Sequence, residues 1–235
     1  MLEVTMLDEG AHRGSILLDP VKLRRFTDIQ PAIISINAAF RPERRRVEDF
    51  IEATYDKAFA AKIQRHFPTL ISAQDHTGQI LAAAGFRFAK HNRLYLESYL
   101  DQPIEAACHA RGINVRRKEI AEIGNLASAG RGASIFLFLA LANHLEQCGV
   151  KLAAATATKR LRRMFQAVRF ESVELGEAGA SQVAEGAAWG AYYEHDPIVL
   201  AGEVKIGRQN LQRLYADQPA PALVSRLHAD CGQDY

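Results

Sequence analysis

The chain has 235 residues, of which 48% are hydrophobic and 24% are charged, and its formal net charge is +2. A chain of this size and composition can bury a sizeable core without disulfides or metals. The small net charge argues against a protein that binds nucleic acid over its whole surface, and we expect no nucleic-acid partner. The eight histidines show no metal-ligand spacing, so we also expect no metal site.

Targeting and redox signals favour a cytoplasmic protein. The N-terminus carries Glu3, Asp8 and Glu9 where a secretion signal has basic and then apolar residues. No window approaches the roughly 18 uncharged apolar residues that a membrane-spanning helix needs. The three cysteines form no close-spaced pair, and this pattern fits a reducing compartment without a disulfide framework.

The first half of the chain predicts a helix and several antiparallel strands. Residues 1–46 show little pattern, and their basic run (Arg41, Arg44, Arg45 and Arg46) is typical of a solvated segment. Apolar residues at three- and four-residue spacing predict the first long helix, and a polar turn containing Gly78 predicts a hairpin. The expected elements are a strand at 33–36, a helix at 47–64, strands at 69–74, 79–88 and 94–100, and a helix at 103–109.

A glycine-rich turn between a strand and an apolar helix is the most informative feature of the second half. The turn covers residues 128–134, and a nearly continuous apolar run follows from Ile135 to Ala142. Small residues let a ligand approach the backbone closely, and the first N–H groups of a helix favour an anion. We therefore expect a phosphate-bearing cofactor at this turn; an ordinary helix-capping turn is the alternative interpretation.

The order of helices and strands is typical of an α+β fold, in which helices cover a mixed sheet. The expected elements of the second half are a strand at 119–127, a helix at 135–142, a strand at 151–156, a helix at 159–168, a strand at 170–175, a last strand within 189–204 and a short helix at 210–216.

Four ordered motifs resemble a known family. They are residues 95–105 (YLESYLDQPIE), 122–127 (EIGNLA), 155–158 (ATAT) and 189–193 (WGAYY). Together they resemble the bacterial thermostable hemolysin family over roughly residues 45–204. The order of elements also resembles the GCN5-related N-acetyltransferase fold, with a mixed, mostly antiparallel sheet flanked by helices.

This resemblance implies an acyltransferase that uses acyl-CoA or acyl-phosphopantetheine as its donor substrate and holds no tightly bound cofactor. The family is similar to the acyl-homoserine-lactone synthases and the N-acyl amino acid synthases. In those enzymes the strand before the turn carries Glu-x-x-Arg-(Phe/Leu)-Ala. Glu122, Leu126 and Ala127 match this motif, but Asn125 stands where those enzymes have Arg. We therefore do not expect homoserine-lactone or adenosylmethionine chemistry.

The resemblance also gives candidate site residues. Glu122 and Glu97 are candidates for a general base, directly or through water, because an apolar context raises the pKa of a carboxyl group. The alternative is an ion-paired strand residue for Glu122 and an exposed one for Glu97. Asn125 either forms a hydrogen bond to the acceptor substrate or holds a loop in place. The backbone N–H groups of Leu126 and Ala127 bind the pantetheine arm or polarise the thioester carbonyl. The expected phosphate contacts are Gly130, Arg131, Gly132, Ala133 and Ser134.

Four basic residues lie on the polar side of the predicted helix 159–168. A solvated face is one interpretation, because charge runs usually face water. A docking patch for an acidic acyl carrier protein is the other, because charges at the rim of an interface speed the encounter of partners. The four residues are Lys159, Arg160, Arg162 and Arg163.

We expect an N-terminal extension (1–46), an acyltransferase-like domain (47–204) and a C-terminal tail (205–235). The leading hypothesis is transfer of an acyl group from a carrier-protein or coenzyme A thioester to an amino acid or a small amine. Two alternatives stay open. One is a membrane-active hemolysin, which would have to contact a membrane, and the other is a non-catalytic module that binds an acyl ligand.

Overall fold

The computed structural model describes residues 2–24, 27–38, 42–90 and 93–215, and these residues contain nine strands and six α-helices. The strands are β1 (Leu2–Asp8), β2 (Ala11–Leu18), β3 (Ile33–Asn37), β4 (Thr69–Gln74), β5 (Ile80–Phe88), β6 (Ile120–Ser128), β7 (Leu152–Ala157), β8 (Val173–Glu177) and β9 (Ile198–Glu203). The α-helices are α1 (Pro20–Leu23), α2 (Pro42–Phe59), α3 (Ile104–His109), α4 (Ser134–Gln147), α5 (Lys159–Ala167) and α6 (Val204–Tyr215). Segments of 3-10 helix lie at Tyr95–Tyr99, Arg117–Glu119, Ala180–Gln182 and Gly186–His195.

All nine strands belong to one sheet, in the order β2-β1-β3-β4-β5-β6-β7-β9-β8. The pairs β1–β3 and β6–β7 are parallel, and every other neighbouring pair of described strands is antiparallel. Helices pack on this sheet, so the expected α+β fold with a mixed, mostly antiparallel sheet flanked by helices is confirmed.

Helices cover both faces of the sheet. Successive residues of β5 point to opposite faces: Ala82 and Phe86 belong to the core that contains α4, whereas Ala83 belongs to the core that contains α2. Helix α6 packs against α4, and α5 joins this face through the rings of Phe138 and Phe165, whose centres are 5.6 Å apart. The sheet thus separates α2 from α4, α5 and α6.

The parallel strands β6 and β7 diverge partway along their length. Their pairing stops at Ile123 and Ala155, although both strands continue beyond these residues. On the other side of β6 the register with β5 shifts opposite Asn125, which has a left-handed φ of 48°. A bulge of this kind bends a strand and increases its twist. The result is a gap between the last residues of β6 and β7.

The segment predicted as a third strand forms the 3-10 helix Tyr95–Tyr99 instead, so that prediction is wrong. The first two N–H groups of this helix donate to the Glu122 carboxylate at 2.8 and 2.9 Å, and the N–H of Leu94 donates to Glu97 at 2.8 Å. These side-chain oxygens satisfy donors that a strand would give to its neighbour.

Other boundaries also differ from the sequence-based expectation. Strands β1 and β2 join the sheet beside β3 because alternate residues, Val4 and Met6 among them, are buried in the core. Helix α2 ends at Phe59, earlier than expected, because Ala60 adopts a left-handed φ of 53°. Helix α6 begins directly after β9 and is longer than expected. Arg41, Ala216, Cys231 and the rest of the tail beyond Tyr215 lie outside the described residues.

Gly190 shows how closely the backbone packs around the end of α2. Its φ is 52°, and a β-carbon there would lie 2.1 Å from the carbonyl oxygen of Phe59. Gly112 has a φ of 78° with nothing within 4 Å of such a β-carbon.

We predict that Gly112→Ala lowers the free energy of unfolding by about 1 kcal/mol through its φ alone. Gly190→Ala should cost about 2 kcal/mol more, because the backbone must move. Urea denaturation measures both, and equal losses would contradict the prediction.

Candidate active site

A cavity of about 330 Å³ lies where β6 and β7 diverge. On one face of the sheet its wall includes Tyr55 and Phe59 of α2, and on the other face the wall comes from α4, α5 and α6. Gly124 of β6 and Thr156 of β7 line the cavity between these two sets of helices. The cavity therefore passes through the sheet at the gap between the two strands.

The glycine-rich turn forms part of the cavity wall. Gly130, Arg131 and Gly132 line it and have φ values of 92°, 54° and 80°. Glycine adopts this region without strain, so the two glycines allow a sharp entry into α4. No side chain caps the described N-terminus of α4. Ser134 at this end lines the cavity, whereas Ala133 is fully buried and is not among the lining residues. This geometry suits a phosphate group, and the phosphate contacts stay a prediction.

Two arginines lie at the edge of the sheet where this turn is found. Because β6 and β7 are parallel, the helices that follow them, α4 and α5, begin at the same edge. Arg131 precedes α4, Arg160 lies in the first turn of α5, and both line the cavity. Arg131 also forms an ion pair with Asp28, and because both side chains are exposed this pair contributes little to stability. An anionic ligand at this edge would meet two cations.

The predicted docking residues on α5 do not share one environment. Lys159 and Arg163 are exposed, and Arg160 is exposed at the cavity. Arg162 instead donates to the carbonyl oxygen of Asp196 at 2.5 Å, which ties α5 to the end of the 3-10 segment at 186–195. Carrier-protein docking stays a prediction that rests on three of the four residues.

Asn125 holds the loop after α2 against the bulge. Its side-chain oxygen accepts a hydrogen bond from the N–H of Phe67 at 3.1 Å, and the residue is buried. A β-carbon on Gly124 would lie 2.5 Å from the Phe67 ring, so this ring lies directly on β6. These contacts favour the interpretation in which Asn125 ties down a loop.

Tyr55 lies beside one of the predicted backbone donors. Burial raises the pKa of Tyr55 well above its usual value, and a hydrogen bond from the N–H of Leu126 offsets only part of that shift. The hydroxyl therefore stays protonated, and Tyr55 lines the cavity. Ala127, in contrast, pairs with Ala83 in the ladder between β6 and β5. The helical spacing of α2 marks Tyr55 only as a core residue and carries no signal of this contact.

Glu122 is buried beside the gap, on the same face of β6 as Gly124 and two residues before it. Its oxygens accept hydrogen bonds from the backbone N–H groups of Tyr95 and Leu96, and one oxygen lies 3.6 Å from Nε of Arg87. Burial raises its pKa to about 7, although Arg87 and the two N–H groups favour the charged form. Such a carboxyl group exchanges protons at neutral pH. It is not among the lining residues, so a proton from the cavity would reach it through water.

Glu97 is buried and occupied by four donors. Its carboxylate accepts hydrogen bonds from the backbone N–H groups of Leu94 and Ile104 at 2.8 and 3.0 Å. It also accepts two hydrogen bonds from the Arg117 guanidinium at 2.7 and 2.9 Å. Burial alone would raise its pKa, but these donors, led by Arg117, lower the pKa to about 2. A group with such a low pKa is a weak base at neutral pH. The contacts support a structural role that joins the 3-10 helix to α3, and the predicted catalytic role has no support in this geometry.

Aromatic side chains close the α2 side of the cavity. The rings of Phe59 and Tyr192 are 5.3 Å apart and meet edge to face, and the Tyr192 hydroxyl donates to the carbonyl oxygen of Thr156 at 3.3 Å. The indole N–H of Trp189 donates to the Tyr95 hydroxyl at 3.1 Å. Trp189 and Tyr192 of the last predicted motif therefore form a hydrogen-bonded aromatic wall next to the gap.

Metal binding and a Cys108 nucleophile have no support in the described ranges. Within them, no three His, Cys, Asp or Glu side chains gather in a way that could hold a metal ion. The buried thiol of Cys108 has its pKa raised to about 11 by burial and by Glu105, so it is protonated at neutral pH and a poor nucleophile. A separate finding is that none of the described helices has the length and apolar character needed to cross a membrane.

The mixed sheet, the diverging parallel strands and the glycine-rich turn before α4 define a fold like that of the GCN5-related N-acetyltransferases. Similar solved structures are the acyl-homoserine-lactone synthase LasI (13% identity, 76% of this chain and 93% of that chain, TM-score 0.53) and TofI in an apo form (12%, 76% and 95%, 0.52). FeeM, an N-acyl amino acid synthase from uncultured soil microbes, is also similar (14%, 75% and 94%, 0.51). At these identities the likeness shows the fold alone.

The sequence profile of the thermostable hemolysin family matches residues 38–208, so the chain belongs to that family. A search of curated proteins gives no match.

The contacts of Glu97 make stability depend on acid pH. Folding lowers its pKa from an ordinary 4.5 to about 2, so the native state binds this proton less tightly than the unfolded chain does. The resulting stabilisation is present above pH 4.5 and is lost as the pH falls through about 2. We predict that Glu97→Gln lowers the free energy of unfolding by about 2 kcal/mol at pH 7, with a smaller difference from wild type at pH 3.

Urea denaturation at the two pH values measures this effect. Glu105→Gln is the matched control, because it removes the more exposed partner of the same arginine, Arg117, and should cost less than about 1 kcal/mol. A loss for Glu97→Gln no larger than that of this control would show that the buried pair is not an anchor.

Proposed function

We propose that the protein is an acyltransferase that moves an acyl group from a thioester, acyl-CoA or an acylated carrier protein, to an amine. The observation that carries this proposal is the cavity through the gap between β6 and β7. It joins an anion-binding turn at one edge, an apolar space under three helices and an aromatic wall on the opposite face of the sheet. The first environment suits the phosphate of a thioester donor, the second suits its acyl chain, and the third leaves a side from which an amine can approach.

The donor's phosphate lies at the glycine-rich turn, where Arg131, Arg160 and the first N–H groups of α4 supply positive charge. The pantetheine arm then follows the gap, because strand edges that have lost their partner offer backbone hydrogen bonds to its amides. The donor is a substrate that leaves after each turnover. A cytoplasmic setting, where acyl thioesters are available, is part of the proposal.

The acyl chain occupies the space between α4, α5 and α6, which we call the acyl chamber. Arg131 and Arg160, both near the start of a helix, are the charged side chains among the described lining residues, so the rest of the wall is uncharged. Along α4 the lining runs from Ser134 to Leu145, about 16 Å of helix. This depth fits a chain longer than an acetyl group. The chamber is lined by Phe138, Leu141, Ala142, Leu145, Leu161, Met164, Phe165, Val168, Phe170, Leu200, Val204, Gly207 and Leu211.

The acceptor, an amino acid or a small amine, approaches from the aromatic wall. Its nitrogen attacks the thioester carbonyl carbon, the C–N bond forms, and the C–S bond then breaks. The Tyr55 hydroxyl, which accepts from the Leu126 N–H, donates its own hydrogen bond to the oxyanion. Glu122 receives the proton of the amine through water and then returns it through water to the leaving thiolate, which becomes the free thiol. Glu97 and Asn125 hold the surrounding loops.

Docking of a carrier protein would use Lys159, Arg160 and Arg163 on α5, beside the phosphate site. These exposed charges would raise the association rate and make it sensitive to salt. The membrane-active alternative rests on the family name. It predicts liposome leakage without any thioester, which separates it from the transferase.

Intact mass spectrometry of reactions with acyl-CoA or acylated carrier protein and a pool of amines tests the proposal. We expect an N-acylated product that depends on the donor.

Tyr55→Phe should lower kcat/KM about 100-fold, because it removes one oxyanion donor. Tyr193→Phe is the control, since its hydroxyl bonds Tyr99 outside the cavity lining, and we expect less than about a 3-fold change. Absence of product and of any thermal shift with every thioester would exclude the transferase.

The pKa of Glu122 predicts how activity depends on pH. The base acts in its charged form, so kcat/KM of the wild type should rise through about pH 7 and level off above it. Glu122→Gln should be about 100-fold slower and should lose this rise. The native pKa is above the ordinary 4.5, so stability from this group is present below pH 4.5 and is lost as the pH rises through about 7. A variant that is slower but keeps the same pH profile would assign the rise to another group.

A further inference from the structure

A row of phenylalanine rings runs along the acyl chamber. The ring centres of Phe138 and Phe165 are 5.6 Å apart, and those of Phe165 and Phe170 are 5.2 Å apart. All three side chains line the cavity. From Arg160, near the turn, to Val168 at its end, α5 runs about 12 Å away from the phosphate site. Phe170 lies two residues further along the chain, so the row ends where an acyl chain entering from the gap would end.

The ring of Phe170 lies between two glycines on different elements. A β-carbon on Gly202 of β9 would lie 2.5 Å from Cζ of this ring, and one on Gly207 of α6 would lie 2.8 Å from Cδ2. Both distances are well inside the optimal separation of carbon atoms, about 3.5–4.0 Å. The missing β-carbons therefore fix where the ring can lie. Gly207 also lines the chamber, whereas Gly202 is not among its lining residues.

Gly207 lies within the helix α6, where its φ is not in the left-handed region that requires glycine. The backbone would accept alanine here, and alanine is the better helix former. A side chain at this position would collide with the ring of Phe170 and would fill part of the chamber.

We infer that Gly207 and Phe170 together set the longest acyl chain that the chamber accepts. This inference rests on the proposed function. A methyl group at residue 207 takes up space at the end of the chamber and forces the Phe170 ring to move. A donor whose last carbons filled that space loses their burial, at about fourfold in affinity for each methylene. Shorter chains do not reach this end and keep their affinity.

The test is a series of acyl-CoA donors from butyryl to palmitoyl, with binding measured by calorimetry and turnover by product mass. For Gly207→Ala we expect the preferred chain to shorten by about two carbons, with about a 16-fold loss of affinity for the longest chain bound by the wild type. The shortest chains should bind as they do to the wild type. The melting temperature should fall by a few degrees, because moving the Phe170 ring costs more than the helix gains from alanine.

Gly176→Ala on β8 is the matched control, since its β-carbon would meet the tip of Leu100 and its position is outside the chamber lining. Phe165→Leu is the opposite variant and should lengthen the preferred chain. It also keeps the inference testable if Gly207→Ala does not fold.

The outcomes separate the two levels of the argument. A uniform loss for all chain lengths in Gly207→Ala, or an unchanged profile in both variants, overturns the inference while the transferase stands. A wild type that binds no thioester of any length overturns the proposed function and the inference with it.

Discussion

The early end of pairing between β6 and β7 is the constraint on which the rest of the site depends. Two parallel strands that separate leave backbone N–H and C=O groups without a ladder partner, which is unfavourable in a protein interior. The bulge at Asn125 sets the direction of β6, and the Asn125–Phe67 hydrogen bond holds that bulge against the loop after α2. On the same side, the Leu126 N–H is close enough to the Tyr55 hydroxyl to offset part of the rise in its pKa. The gap is thus a supported feature of the fold, and the cavity follows from it.

Two buried glutamates, Glu122 beside this gap and Glu97 away from the cavity, show how environment separates residues of the same type. Glu97 meets the guanidinium of Arg117 and two backbone donors, so its charged form is favoured despite burial. Glu122 has two backbone donors but only a more distant Arg87, and burial dominates. Their pKa values therefore lie on opposite sides of the ordinary value, at about 2 and about 7. One group is suited to a fixed ion pair and the other to proton exchange, which is a common division of roles at active sites.

Local signals explain what could be predicted from the sequence. The turn at 128–134, the apolar helix α4 and the hairpin β4–β5 depend on residues close in the chain, and each begins within one residue of where its pattern indicated, although α4 extends to Gln147. The 3-10 helix Tyr95–Tyr99 was missed because its donors are satisfied by Glu122, which is distant in sequence. The contact of Tyr55 with Leu126 was missed for the same reason. Strands β1 and β2 were missed because their inward-facing residues alternate over too few positions to stand out.

Several features that cost stability lie around the cavity. They include two strand edges without a partner, a glycine within the helix α6, three successive residues in the left-handed region and a carboxyl group that burial keeps near neutral pKa. Away from the cavity, buried charges such as Glu97 have full sets of partners. Proteins keep local exceptions to good packing and pairing mainly where function needs them. The exceptions here gather at the places where a phosphate, a thioester, a proton and the end of an acyl chain would lie, which is why the gap, and not the sheet as a whole, carries the functional argument.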